Sequence, residues 1–429
     1  DLVRSRGLGD VYKRQLWITG GSEGLAVARK LHDRADILCW GDYIMYGDQE
    51  NMPQYRVQDQ VSQWLREADM SSNDKYLITD GFQSFAIPHL LEGNIYRSAL
   101  DFDSDLGGGR ESKSVADLQR SAIQARILFQ KCGVSSIPLI TMNSIQDAFD
   151  FLKIDFGTGN EIVVNGNYFI FPSSKSTRTW LDELCHRTRV KAPIFISTLP
   201  KGFRAHIIGL FHEGKPIAAP LLDLGGSVCS ISPNSPMYTN TLEKIIPFLI
   251  DQNWTGPISM GLTVSKDEEG CQALATNLIA EMRHCNVPSM YELYPGNIEE
   301  MIYDILEGAP IHWKGGWSCY SKMLVGEQPN LEPVWIEDGI EKHANLWWCD
   351  VIETETVSRL TGKHFCTLTQ SHKKDPRKAT SQIKLAEEKI VSPDHIVFPL
   401  GSNDDAFKNF SALTNWELCK SEWRTVKKE

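Results

Sequence analysis

The feature that most limits what this chain can fold into is the exchange of short apolar runs and helix-length segments along its N-terminal quarter. Leu16 to Thr19 is an apolar run that enters Gly20-Gly21-Ser22-Glu23-Gly24, after which Leu25, Ala28 and Leu31 mark one face of a helix. Ile37 to Trp40 reads as a second strand, Val57 to Ala68 as a helix, and Tyr76 to Thr79 as a third strand ending in Asp80-Gly81. Strands alternating with helices predict a parallel sheet covered by helices, with ligands at the carboxyl ends of the strands. Gly20, Gly21 and Gly81 lie at such ends. Glycines there let backbone N–H groups at a helix N-terminus meet an anion, although the same turns also serve as plain geometry.

The residues before this unit, Asp1 to Gln15, show neither a helical nor a strand period and no apolar core of a signal peptide, so 1–15 is set aside as a non-native leader. Asp101 to Ser114, with Gly107-Gly108-Gly109, reads as a hinge between domains. Val115 to Gly133 then gives the longest helix signal, with Leu118, Ala122, Ala125, Ile127, Leu128 and Cys132 giving a broadly helical apolar face and Gly133 as a C-terminal stop. Ile145 to Lys153 is a short helix and Glu161 to Val164 a strand entering Asn165-Gly166-Asn167. Phe171 to Thr177 reads as a hydroxyl-rich loop carrying Lys175, either a phosphate cradle or a solvated loop. Pro193 to Ser197 and Arg204 to Phe211 are strands, with a hairpin turn at Glu213-Gly214-Lys215. Thr241 to Asp251 and Gln272 to Cys285 are predicted helices.

The stretch Val287 to Pro310 carries the clearest candidate for chemistry. Met290 to Leu293 is predicted as a short strand, Tyr294 to Asn297 as a turn, and Ile298 to Leu306 as a helix with Ile298, Met301, Ile302 and Ile305 on one face. Glu292 then stands at a strand end, where a carboxylate can share Mg²⁺ with substrate phosphates. The plainer reading is an acidic residue at a strand end.

These parts, in this order, resemble phosphoribosylamine-glycine ligase (glycinamide ribonucleotide synthetase), a family of the ATP-grasp superfamily that acts in purine biosynthesis. The Gly20-Gly21 turn is similar to the family's G-G-R-E-H-A-L-A opening. Val115 to Gly133 is similar to its A-x-L-E-x-S-K-x-F helix, where Ser121, Arg126, Gly133 and Val134 fit, Gln119 replaces Glu and Ala122 replaces a Lys that faces nucleotide. The strand at Glu161 resembles one ending V-V-K, and Asn165 stands in place of that Lys, which meets ATP phosphates. Of E-E-x-L-x-G-E-E, whose acidic groups hold the adenine and ribose side, this chain keeps Gly202 and the hairpin that follows. Thr255 to Val264 with the turn after Glu292 resembles the family's strand, strand and E-F-N-x-R-F-G-D-P-E turn. Glu292 falls on the metal-binding Glu, Tyr294 on the Asn, and Asn297 and Glu299 replace the Asp and second Glu. Past Ala309, Ser318 to Val325, Ile336 to Gly339, Gly362-Lys363 and the helix Ala379 to Ile390 resemble the C-terminal domain.

The resemblance implies a multidomain α/β ATP-grasp architecture: an N-terminal Rossmann-like open sheet at 16–100, an ATP-grasp domain at 101–310, a C-terminal mixed α/β domain at 311–402, and a tail at 403–429. It implies a divergent ATP-dependent carboxylate-amine ligase that forms an acyl phosphate, with ATP and Mg²⁺ as cofactors and phosphoribosylamine and glycine, or analogues, as substrates. Arg126 and Lys175 would be its catalytic cations, Ser121, Asn165, Gly202, Gly20, Gly21 and Gly81 its nucleotide contacts, and Glu292 and Asn297 its metal ligands. Losing the two lysines replaced by Ala122 and Asn165 costs about 3 to 6 kcal/mol of phosphate binding. An inactive relative that binds a nucleotide, a phosphosugar or a protein partner is therefore the alternative. An unrelated nucleotide-binding oxidoreductase is a third reading.

Composition narrows the partners. A formal net charge of -11 opposes a general nucleic-acid surface, and no apolar run reaches the length of a membrane-spanning helix. Ten cysteines without a C-x-x-C pair point to a reducing cytoplasm. Cys366 between His364 and His372 raises a metal site, although that spacing matches no common zinc pattern.

Overall fold

The computed structural model describes residues 14–19, 26–27, 30, 36–39, 75–80, 98–101, 122–154, 159–164, 167–267, 270–280, 287–325, 333–349, 351–353, 358–360, 364–391, 397–400 and 403–419. Strands β1 (Arg14–Thr19), β2 (Asp36–Cys39), β3 (Lys75–Asp80) and β4 (Ser98–Asp101) form an N-terminal sheet in the order β2-β1-β3-β4, parallel throughout. This is the open parallel sheet that the alternating pattern predicts. β1 begins at Arg14, inside the stretch set aside as a leader. The predicted helix Val57 to Ala68 lies outside the described residues.

Helix α1 (Ala122–Lys131) ends at Gly133, whose φ of +69° closes it as the sequence predicts. A small antiparallel sheet follows, in the order β5 (Ile140–Met142), β8 (Ile194–Thr198), β6 (Asn160–Val164), β7 (Asn167–Phe171). Helices α2 (Ile145–Phe151) and α3 (Ser174–Arg187) cover one of its faces, where Ala148 and Leu181 pack with Ile162, Val164, Ile194 and Ile196. The expected loop at 171–177 is thus mostly helix. Ser173 caps α3 through a reciprocal capping box with Ser176, so the hydroxyl-rich run is a helix start rather than a loop.

The largest layer is a sheet of ten strands. Its order is β14 (Gly270–Ile279), β13 (Gly256–Asp267), β9 (Gly202–His212), β11 (Leu221–Asp223), β12 (Ser227–Ser230), β15 (Trp317–Val325), β20 (His364–His372), β17 (Asn345–Trp348), with β10 (Lys215–Pro216) on β9 and β22 (Val397–Leu400) on β15. It runs across residue 310, where a domain boundary is expected, because β12 pairs with β15. Side chains alternate between two cores. Ala205, Ile207 and Phe211 of β9 enter one with α1, the short α4 (Pro236–Thr239) and α5 (Ile246–Asp251); Ile208 and Leu210 enter the other with α6 (Val287–Leu293) and α7 (Ile298–Glu307). Ala26 and Val27 join this second core, and Lys30 Nζ lies 5.5 Å from the Trp347 ring centre, so these residues touch the elements of the large sheet.

A further small sheet, β18 (Val351–Glu353), β19 (Ser358–Leu360), β16 (Pro333–Ile336) and β21 (Ile390–Val391), lies next to α8 (Pro376–Glu387), which carries most of the helix predicted at Ala379 to Ile390. The region expected to be a tail contains α9 (Asn403–Asn415), whose Ala406, Phe410 and Leu413 are buried in the main core, with the Phe410 ring edge-on to Trp317 at 4.6 Å. Among the described residues no helix is long and apolar enough to cross a membrane.

Two predicted elements exchange type. The described part of Gln272 to Cys285, up to residue 280, is not a helix: β14 is the second strand of a hairpin with β13. A register shift between Gly261 and Leu262 puts Ala275 and Leu278, three residues apart, into the same core, which imitates a helical period. Met290 to Leu293 is not a strand but the end of α6. Val287, Met290 and Leu293 bury one face there, and so short an apolar run does not distinguish the two periods.

Candidate functional site

Arg126 projects from α1 and is buried. Its Nη2 donates to both carboxylate oxygens of Glu161, at 2.7 and 2.8 Å, and its Nε donates to the Ile137 carbonyl at 2.9 Å. Glu161 has no exposed surface, so the guanidinium charge is neutralised within the protein. The sequence identifies Arg126 as a cation for a phosphate. In the structure its charge is held by β6.

Lys175 is on the other side of the small sheet. Its helix α3 packs on the face made by Ile162, Val164 and Ile196, where Asn160 Nδ2 donates to Ser174 Oγ. Glu161, one position along, projects from the opposite face. Lys175 is exposed and lines an outer groove of about 510 Å³ with Lys153, Arg178 and Asp182. The two expected catalytic cations are therefore not brought together.

Glu292 is buried in α6, not set at a strand end. Its Oε1 accepts from Thr369 Oγ1 at 2.7 Å and from Asn345 Nδ2 at 2.5 Å, while Trp347 Nε1 donates to Thr369 Oγ1 at 3.0 Å. This network joins α6 to β17 and β20, and Tyr291 adds an edge-on contact with Trp347 at 5.5 Å. Asn297 is the N-cap of α7. Its Oδ1 accepts from Glu300 N at 2.9 Å, and Glu300 Oε2 accepts from Asn297 N at 3.2 Å. Tyr294, between them, donates its hydroxyl to Asp304 Oδ2 at 2.5 Å, and burial first, then this bond, raises its pKa. Both expected metal ligands are thus engaged by protein donors.

The strand that pairs with β13 and follows it in the chain is β14. Among the described residues no three of His, Cys, Asp and Glu are placed to hold a metal ion. The side chains that the sequence assigns to Mg²⁺ and to a triphosphate do not fit those groups in the described structure.

Gly202 opens β9 opposite Ser265, and a Cβ there would meet the Val264 carbonyl oxygen at 1.9 Å, which gives this glycine a steric reason. Ser121, Asn165, Gly20, Gly21 and Gly81 lie outside the described residues. Cys366 is fully buried, and burial pushes its thiol well above the usual range. His364 Nε2 lies 3.0 Å from Thr367 Oγ1, and His372 Nδ1 accepts from Asp375 N at 2.9 Å, so these three residues form no metal centre.

A polar stripe that neither the motifs nor the resemblance points to lies on the large sheet, on the face away from the core that holds α1. Arg204, His206, Asp223, Ser259, Thr263 and Ser265 lie there by strand alternation. Asp223 accepts from Tyr320 Oη at 3.1 Å, and His206 Nδ1 lies 3.3 Å from Ser259 Oγ. The signal was available: polar residues alternate with Ala205 and Ile207 and with Leu262 and Val264.

No protein-family model and no curated protein matches this chain. Solved structures do. Phosphoribosylamine–glycine ligase from Thermotoga maritima is similar at a TM-score of 0.60 and 12% identity, over 90% of this chain and 98% of that one. The biotin carboxylase domain of 2-oxoglutarate carboxylase from Hydrogenobacter thermophilus, solved with MgADP, ADP and bicarbonate, gives 0.60 and 10% over 94% and 98%. N5-carboxyaminoimidazole ribonucleotide synthetase from Thermotoga maritima gives 0.55 and 10% over 91% and 100%. At these identities the likeness shows fold alone, and the fold shown is the mixed α/β architecture of the ATP-grasp enzymes.

Proposed function

We propose that this chain is an ATP-grasp relative that binds a small molecule and does not carry out the ligase reaction. The observation that carries this reading is the Arg126–Glu161 pair. Activating a carboxylate as an acyl phosphate needs cations at the transferred phosphoryl group, with Mg²⁺ between the phosphates. Arg126 has spent its charge on Glu161, Lys175 stands behind the small sheet, and Glu292 holds α6 to β20. The polar stripe around Arg204 remains as a surface with unsatisfied donors. Calorimetric titration with Mg·ATP followed by a product assay with phosphoribosylamine and glycine tests the reading: no product is expected whether or not the nucleotide binds, and product formed in step with ADP would overturn it.

A divergent carboxylate-amine ligase acting on phosphoribosylamine and glycine is the second reading. It is favoured by the order of elements shared with the ligase fold over most of the chain. It requires cations and carboxylates from residues other than Arg126, Lys175 and Glu292.

A further inference from the structure

Strands β9 and β13 are held in antiparallel register, with Thr263 opposite Arg204 and Ser265 opposite Gly202. Ala205, Leu262 and Val264 enter the core that holds α1, so Arg204, Thr263 and Ser265 project together from the other face. Thr263 is 2% and Ser265 3% exposed. The Oγ1 of Thr263, the Oγ of Ser265 and the Nε of Arg204 are all buried without a hydrogen-bond partner. Folded proteins leave few such groups, and here they are cross-strand neighbours rather than scattered.

Their chemistry points one way. A guanidinium only donates, in a planar fork suited to an oxygen pair, and it stays charged. Each hydroxyl donates one further bond. Gly202, opposite Ser265, brings no side chain to cover that hydroxyl, and it cannot acquire one against the Val264 carbonyl. Three donors with one fixed positive charge call for an acceptor-rich anion; a neutral or cationic ligand would leave the guanidinium unmatched.

We infer that Arg204, Thr263 and Ser265 form a binding site for the oxyanion group of a small molecule, a phosphate or a carboxylate. The inference deepens the binding reading above by naming the chemistry of its ligand. It assigns Arg204 the charged contact and the two hydroxyls the positioning of the oxygens.

The test titrates the full chain with inorganic phosphate and, separately, with succinate, comparing wild type with Arg204→Gln, Thr263→Val and the exposed control Lys408→Gln. Saturable binding of at least one anion is expected, with the tighter one telling phosphate from carboxylate. Arg204→Gln should weaken it by about tenfold or more, and Lys408→Gln should leave it unchanged. Thr263→Val keeps the shape and removes an unpaired hydroxyl, so it should weaken binding while leaving the melting temperature equal or higher. Failure of both anions to bind, or affinity equal to wild type in both Arg204→Gln and Thr263→Val, would overturn the site. A lower melting temperature for Thr263→Val would also overturn it, by showing that the hydroxyl has a structural partner. Ligase turnover, if found, would overturn the binding-protein reading and leave this site standing.

Discussion

Arg126 and Glu161 meet through both carboxylate oxygens, at 2.7 and 2.8 Å, with 9% and 0% of their side chains exposed. The pair links α1 to the small sheet, and it removes from solution a charge that the sequence offers to a phosphate. Breaking one partner leaves the other buried and uncompensated. Glu161→Gln is therefore expected to lower stability by about 3 to 5 kcal/mol, measured by urea unfolding. The double variant Arg126→Met with Glu161→Leu should recover much of that loss; additive losses would mean that the pair is not the energetic unit.

Glu292 gives a second stability test. Thr369 and Asn345 both donate to its Oε1. Glu292→Ala leaves the buried Thr369 hydroxyl, and the amide of the exposed Asn345, without their acceptor and should cost about 1 to 3 kcal/mol in urea unfolding. A carboxylate kept for a metal would be destabilising in the absence of that metal, so an unchanged or raised stability would favour the ligand role over the structural one.

Helix α9 supplies a third. Phe410 is 3% exposed and lies against the fully buried Trp317. Phe410→Ala should cost about 3 to 5 kcal/mol by the same measurement, as large-to-small changes in packed cores do. A loss below about 1 kcal/mol would show that 403–415 behaves as a tail.

Much of the fold was legible because local and tertiary preferences agree. Ile298, Met301, Ile302 and Ile305 are all buried on α7, and the parallel N-terminal sheet follows from its alternating pattern. Legibility failed where tertiary context set the period. The bulge beside Gly261 gave β14 a false helical spacing, and the short run before Tyr294 suited strand and helix alike. The serines at 173, 174 and 176 suggest a loop until their capping bonds are seen. The candidate site was less legible than the fold. Residue type marks Arg126 as a cation, but only the structure places Glu161 across from it, and the Arg204 stripe depends on cross-strand register that spacing along one strand does not give.

Alkaline pH offers a test of burial. Burial, with a smaller contribution from Glu243, pushes the Tyr238 hydroxyl up to about 12 from an ordinary 10.0. Because the folded pKa is the higher one, the folded state keeps a proton that the unfolded chain releases. Stability is then full below pH 10 and falls as pH rises from about 10 towards 12. Chemical unfolding across that range should show the fall, and Tyr238→Phe should make it shallower. An identical pH profile in the variant would place Tyr238 in contact with solvent.

Ligase turnover is the most direct test of the part played by Arg126 and Glu161. The full chain is incubated with Mg·ATP, phosphoribosylamine and glycine, and ADP and the amide product are followed together. With the Arg126 charge held by Glu161, neither should form above the protein-free control. ADP released in step with amide product, and dependent on both substrates, would contradict the binding-protein reading.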